Sequence, residues 1–111
     1  MADTQWARLR TALKCPLRRG AWYRVLSLTR LEVTVDVHGA SVALPRSHVE
    51  LRTVVPRDWT VVRTAEGSEY VVCPNCGHRA VLPLARVLKL TCPRCTQLFR
   101  VAWDEGYLPK T

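Results

Sequence analysis

The segments "VCPNCGH" (Val72–His78) and "TCPRCTQ" (Thr91–Gln97) decide how the carboxy-terminal part of the chain folds. Each contains a C-x2-C pair, and fifteen residues separate the two pairs. A tetrahedral metal needs four ligands, and two tight turns at this spacing supply two sulfurs each. The pattern therefore predicts a closed site for one structural Zn²⁺, with four ligands: Cys73, Cys76, Cys92 and Cys95.

Residues 69–104 resemble a zinc ribbon, because "CPNCG" is similar to the Cys-Pro-x-Cys-Gly knuckle of that family. The resemblance implies two hairpins joined through one structural metal. The second segment departs from the pattern, since Thr96 stands where the first has Gly77. A β-branched residue is costly at positive φ, so we expect a distorted second turn. A rubredoxin-like iron centre for electron transfer and a thiol–disulfide couple remain as alternatives.

The middle of the chain is rich in short segments with a period of two. "EVTVDV" at residues 32–37 alternates apolar and polar side chains, and similar segments flank it between turn signals. Five short strands within residues 20–66 predict a small, closed antiparallel barrel. Their length and order look like an SH3-like barrel of the Tudor or KOW type.

The amino-terminal segment "TQWARLRTALK" (residues 4–14) predicts a short amphipathic helix. Trp6, Leu9 and Leu13 stand at i, i+3 and i+7, and Pro16 ends the pattern. The predicted fold is therefore mainly β, with a basic helix and lead-in (1–19), a small barrel (20–66) and a zinc ribbon with its tail (67–111).

The charge of the chain is strongly positive. Seventeen Lys and Arg face nine Asp and Glu, for a net charge of +8. Fourteen of these cations are arginines, which make bidentate contacts with phosphates and carboxylates. The cations expected to contact a partner lie near the amino terminus and in the cysteine region: Arg8, Arg10, Arg18, Arg19, Arg79, Arg86, Lys89, Arg94 and Arg100.

These features predict a non-catalytic zinc-binding accessory protein. Its partner is expected to be DNA, RNA or a nucleic-acid-bound assembly of the transcription or translation apparatus. A protein–protein adaptor, or a small subunit of a larger complex, is the alternative. The adaptor hypothesis predicts an exposed apolar patch that includes Trp6 or Trp103.

Several other features of the sequence limit the function. No paired carboxylates, nucleophile with a base, or Gly-rich phosphate loop is present, so we expect neither catalysis nor a small-molecule substrate. No signal-peptide pattern or membrane-length apolar run occurs, which together with the paired cysteines predicts a reducing, cytoplasmic location and no membrane partner. Cys15 has no partner at ligand spacing. Trp22, Tyr23 and Trp59 could form either core or an aromatic cage.

Overall fold

The computed structural model describes residues 4–11, 15–64, 66–105 and 107. These residues form ten strands in two five-stranded sheets, and the mainly β class is confirmed. The strands are β1 (Trp6–Leu9), β2 (Tyr23–Leu28), β3 (Glu32–Val37), β4 (Ala40–Pro45), β5 (Val49–Arg52), β6 (Asp58–Arg63), β7 (Glu69–Val72), β8 (Arg79–Val81), β9 (Lys89–Thr91) and β10 (Leu98–Val101). A 3-10 helix (Arg46–His48) precedes β5 and is the only helix within the described ranges.

The first sheet has the strand order β4-β3-β2-β1-β5, and all its neighbouring strands are antiparallel. The alternation predicted for β3 is confirmed, because Val33 and Val35 are fully buried while Glu32 is exposed. The buried face forms one apolar cluster, which consists of Ala7, Leu9, Leu17, Val33, Val35, Leu44 and Val49.

The prediction of an amino-terminal helix is wrong. Trp6–Leu9 is a strand that pairs with both β2 and β5 in the first sheet; residues 12–14 of the predicted helix lie outside the described residues. Tertiary pairing overrides a helical pattern only about two turns long, because such a helix is marginal without packing. The sequence does not show a clear period of two, because the apolar Trp6 lies on the same face of the strand as Arg8, and Arg8 is itself buried.

The second sheet has the strand order β8-β7-β6-β10-β9. Its outer pairs are two antiparallel hairpins, β7–β8 and β9–β10, and β6 joins them by pairing antiparallel with β7 and parallel with β10. β6 precedes residue 67, where the cysteine region was expected to start, yet it is the central strand of this sheet. Its Trp59 is fully buried, and the Nε1–H donates to the carbonyl of Leu90 at 2.8 Å.

Arg8 joins the two sheets. Its guanidinium binds Glu50 of β5, donates to Thr60 Oγ1 of β6 at 2.9 Å, and donates to Glu105 Oε1 at 2.9 Å. It also lies 4.4 Å from the ring centres of both Trp22 and Tyr107. A buried guanidinium with both carboxylate and aromatic partners fixes the relative position of the elements that supply them.

Tyr107 completes this junction. Its hydroxyl donates to the carbonyl of Leu9 at 2.7 Å and accepts from the backbone N–H of Gly20 at 3.1 Å. Gly20 has φ +85, and a Cβ there would lie 2.7 Å from Val62 Cγ2, so no side chain fits at this position. Glycine therefore allows the segment before β2 to pack directly against β6.

Candidate metal centre and basic cleft

The two C-x2-C pairs form the turns of the two hairpins in the second sheet. In the first turn, the N–H of Cys73 donates to the carbonyl of His78 at 2.9 Å, and the N–H of Gly77 donates back to Cys73 at 3.1 Å. The second turn repeats both bonds between Cys92 and Gln97 and between Thr96 and Cys92, at 2.9 and 2.8 Å. Each pair is thus held in the same closed turn.

The expected distortion of the second turn is absent. Thr96 adopts φ 63, close to the φ of 74 at Gly77, and the turn keeps the same backbone bonds. The conformational cost falls on Thr96 itself, because a β-branched residue at positive φ is an outlier. Its hydroxyl donates to the carbonyl of Cys95.

The four cysteine sulfurs meet at one point. All lie within 4.8 Å of one another, with Cys73 and Cys95 at 3.7 Å and Cys76 and Cys92 at 3.6 Å. Four sulfurs bound at about 2.3 Å to a tetrahedral zinc lie about 3.8 Å apart. The cluster therefore has the donor set and the size to hold a metal ion such as Zn²⁺.

The sulfurs differ in their electrostatic settings. Burial raises the pKa of the Cys73 thiol to about 12, although the backbone N–H groups of Cys76 and Asn75 act to lower it. Burial also raises the pKa of Cys76. At Cys95 burial again acts upward, but the backbone N–H of Gln97 and the Asn75 side chain lower the pKa to about 6. A divalent cation would stabilise all four thiolates, since metal ligation requires the deprotonated form.

The structure divides the cations that were predicted to contact a partner into two groups, one outside and one inside a cleft. Arg8 is 3% exposed and is occupied by two carboxylates, so it is not available to a partner. Arg10 and Arg79 are exposed but lie outside the cleft described below, and so does the half-buried Arg19. Arg86 is exposed and pairs with Asp104 at 3.5 Å.

The four remaining predicted cations lie together in a cleft of about 1090 Å³ between the two sheets. Two further arginines, Arg24 and Arg57, also line it, and its acidic side chains among the described residues are Asp36 and Asp58. The six cations of the cleft are Arg18, Arg24, Arg57, Lys89, Arg94 and Arg100. Within the part of the chain that the structure describes, none of the six forms an ion pair with a carboxylate.

Sequence reasoning missed Arg24 and Arg57. They lie in segments predicted as an ordinary strand and a turn, and no local pattern places them beside residues 89–100. Strand register explains one pair of neighbours in the cleft, because Lys89 and Arg100 are direct cross-strand partners. Like charges at such positions are destabilising, and an anion bound between the two side chains would offset their repulsion.

The knuckles form one wall of this cleft. Pro74–Gly77 line it from the first turn, and Arg94 and Gln97 line it from the second. Arg18 is held against this wall, since its guanidinium donates to the carbonyl of Gly77 at 3.1 Å. The geometry of the cysteine cluster therefore sets the shape of the basic surface.

The residues considered as an aromatic cage do not form one. Trp59 is fully buried within the second sheet, and Trp22 is 8% exposed with Arg8 and Arg52 stacked on it at 4.4 and 4.5 Å. Tyr23 is half-buried, and its hydroxyl accepts from the N–H of Arg18 at 2.8 Å. Cys15 is half-buried against the first apolar cluster.

Comparison with known proteins gives no relative: no protein-family model, curated protein or solved structure matches the chain. In the described residues, no helix has the length and apolar character needed to cross a membrane.

Proposed function

We propose that this chain is a non-catalytic protein that is stabilised by a structural zinc ion and binds nucleic acid in the cleft between its sheets. The observation that carries the proposal is that, among the described residues, six cations without a carboxylate partner line one cleft together with two acidic residues. Neutralising phosphates releases condensed counterions, and this supplies much of the affinity of nucleic-acid-binding proteins. Five of the six cations are arginines, whose guanidinium groups suit bidentate phosphate contacts.

Zinc has a structural role in this proposal. Four cysteines close the coordination sphere and leave no open position for substrate, so the ion would supply stability and fixed geometry, not chemistry. The paired hairpins that carry the cysteines support a zinc-ribbon architecture for the second sheet. The strand order of the first sheet, with a 3-10 helix before its last strand, supports an SH3-like arrangement.

The test is the salt dependence of binding to a labelled oligonucleotide. Six phosphate contacts predict that log K falls against log salt concentration with a slope of about −4 for a single strand. The double variant Arg94→Gln/Arg100→Gln should reduce the magnitude of the slope by about 1.4. Arg30→Gln removes an exposed cation outside the cleft and is the matched control, which should leave the slope close to that of the unmodified protein.

Two results would contradict the proposal. One is an affinity that stays constant between low and moderate salt. The other is an equal loss of affinity in the Arg30 variant and the cleft variant, since that outcome would mean that the whole basic surface binds without using the cleft.

A second candidate function, a protein–protein adaptor, is favoured by one observation. The end of β8 and the loop that follows it expose large apolar side chains, with Val81 of β8 86% exposed, and Leu84 and Leu88 of the loop fully and 80% exposed. Its backbone is anchored, because Trp103 Nε1–H donates to the carbonyl of Val87 at 2.7 Å. If the chain acts only as an adaptor through this loop, it should bind neither bare DNA nor bare RNA at low salt.

A further inference from the structure

We propose that the cleft selects single-stranded over double-stranded nucleic acid, with one unpaired base stacked on Trp6. This inference rests on the proposed function and specifies the class of nucleic acid that the same cleft takes. It follows from the position of one aromatic ring among the cleft cations.

Trp6 is placed to face the cleft by strand geometry. Side chains alternate along β1, and Ala7 is fully buried in the first apolar cluster, so Trp6 points to the opposite face of the sheet. There it lines the cleft and is half-buried. Its direct cross-strand neighbours are Arg24 on β2 and Arg52 on β5, and Arg52 is already engaged with Trp22 and Glu105.

The other aromatic residues of the cleft are already engaged. Arginines stack on Trp22, Tyr23 packs against two buried apolar clusters, and Phe99 packs against the buried cluster of the second sheet. No cation stacks on Trp6 among the described residues. Trp6 is therefore the ring that can accept a base.

The cations around Trp6 match the backbone of a single strand. Arg24 is exposed beside the ring, and Lys89, Arg94 and Arg100 line the cleft from the second sheet. A strand lying in the cleft can turn a base toward Trp6 while its phosphates meet these cations. A positively charged groove with an aromatic stacking surface is the arrangement typical of proteins that bind single strands.

A duplex fits this arrangement poorly. Its bases are stacked and paired inside the helix, so a side chain in a cleft meets only phosphates and groove edges. Contact with a duplex would leave Trp6 without a partner.

The experiment compares four labelled probes of about ten nucleotides at one moderate salt concentration: oligo-dT, oligo-U, an abasic DNA strand of equal length and a DNA duplex. The abasic strand keeps the phosphates and removes every base. Stacking of one base predicts that oligo-dT or oligo-U binds about tenfold more tightly than the abasic strand. We expect oligo-dT and oligo-U also to bind more tightly than the duplex. The comparison of oligo-dT with oligo-U shows whether the protein prefers DNA or RNA.

Variants of Trp6 locate the effect. Trp6→Ala should weaken oligo-dT binding about tenfold and leave the abasic strand unchanged, whereas Trp6→Phe should keep most of the preference. Because Trp6 is half-buried, thermal unfolding of each variant is measured in parallel, and the comparison of probes on the unmodified protein does not depend on either variant.

The outcomes separate this inference from the proposed function. If the abasic strand or the duplex binds as tightly as oligo-dT and oligo-U, the stacking inference is wrong while the cleft still binds phosphates. If none of the four probes binds, the proposed function and the inference both fail.

Discussion

Replacing Arg8 with methionine should destabilise the protein severely, because Arg8 is the charged link between the two sheets. Methionine keeps a long apolar side chain and removes the guanidinium. The carboxylates of Glu50 and Glu105 then lose their shared cation, and Thr60 loses a hydrogen-bond donor. The stacked contacts with Trp22 and Tyr107 lose their cationic partner as well.

The size of the effect follows from the burial of these groups. Removing one partner of a buried ion pair costs about 3–5 kcal/mol, because the other charge stays buried without compensation. The side chains of Glu50 and Glu105 are 36% and 26% exposed, so water can partly solvate both carboxylates. We therefore expect the lower end of the range, about 3 kcal/mol, and a fall in melting temperature of more than about 10 °C.

The assay is chemical and thermal unfolding followed by circular dichroism, with Arg63→Met as the matched control. Arg63 also pairs with a glutamate, Glu69, at 2.8 Å, but both side chains are about half exposed. An exposed pair contributes about 0–1 kcal/mol, so the control should unfold almost as the unmodified protein does.

Two results would refute this reasoning about Arg8. The first is a loss of stability in Arg8→Met no larger than that in Arg63→Met. The second is unchanged stability together with weaker nucleic-acid binding, which would mean that Arg8 contacts phosphates, as its sequence position suggested.

Three further predictions concern the cysteine turns, the tyrosine junction and the metal. Thr96→Gly should stabilise the metal-loaded protein by about 1 kcal/mol in denaturant unfolding, because glycine accepts φ 63 without strain. Gly77→Ala should destabilise the protein by a similar amount. If Thr96→Gly and the unmodified protein are equally stable, Thr96 is unstrained. Burial raises the pKa of Tyr107 to about 12, so the folded state holds this proton more tightly than the unfolded state does. The resulting stabilisation, about 2–3 kcal/mol, should be complete below pH 10 and be lost between pH 10 and 12. The loss should be smaller by this amount in Tyr107→Phe, in which Tyr23, whose pKa burial also raises, still titrates. Native protein should contain one zinc ion per chain and be colourless, and removing the ion with a chelator should disorder the knuckles and weaken nucleic-acid binding; a coloured iron protein would contradict the zinc assignment.

The cysteine site was predictable because its determinants are local. Two residues separate the cysteines of each pair, so a single turn positions both sulfurs, and the strands on either side need only bring two turns together. The alternation in residues 32–37 was equally readable, because side-chain direction in a strand has a period of two. Thr96 was identified as the irregular position, but the consequence was misjudged: the turn holds its shape and the residue carries the strain.

The sequence by itself determined the four cysteines that cluster, the β class and the excess of positive charge. The tertiary structure alone decided which cations are free to bind. Arg8 and Glu105 are 97 positions apart, and Lys89, Arg100 and Arg24 share a cleft only because two sheets pack together. The guanidinium group is chemically the same in the buried Arg8 and in the arginines of the cleft. Burial among carboxylates makes Arg8 a structural link. Within the described residues the cleft cations have no carboxylate partner, so they are available to an anion.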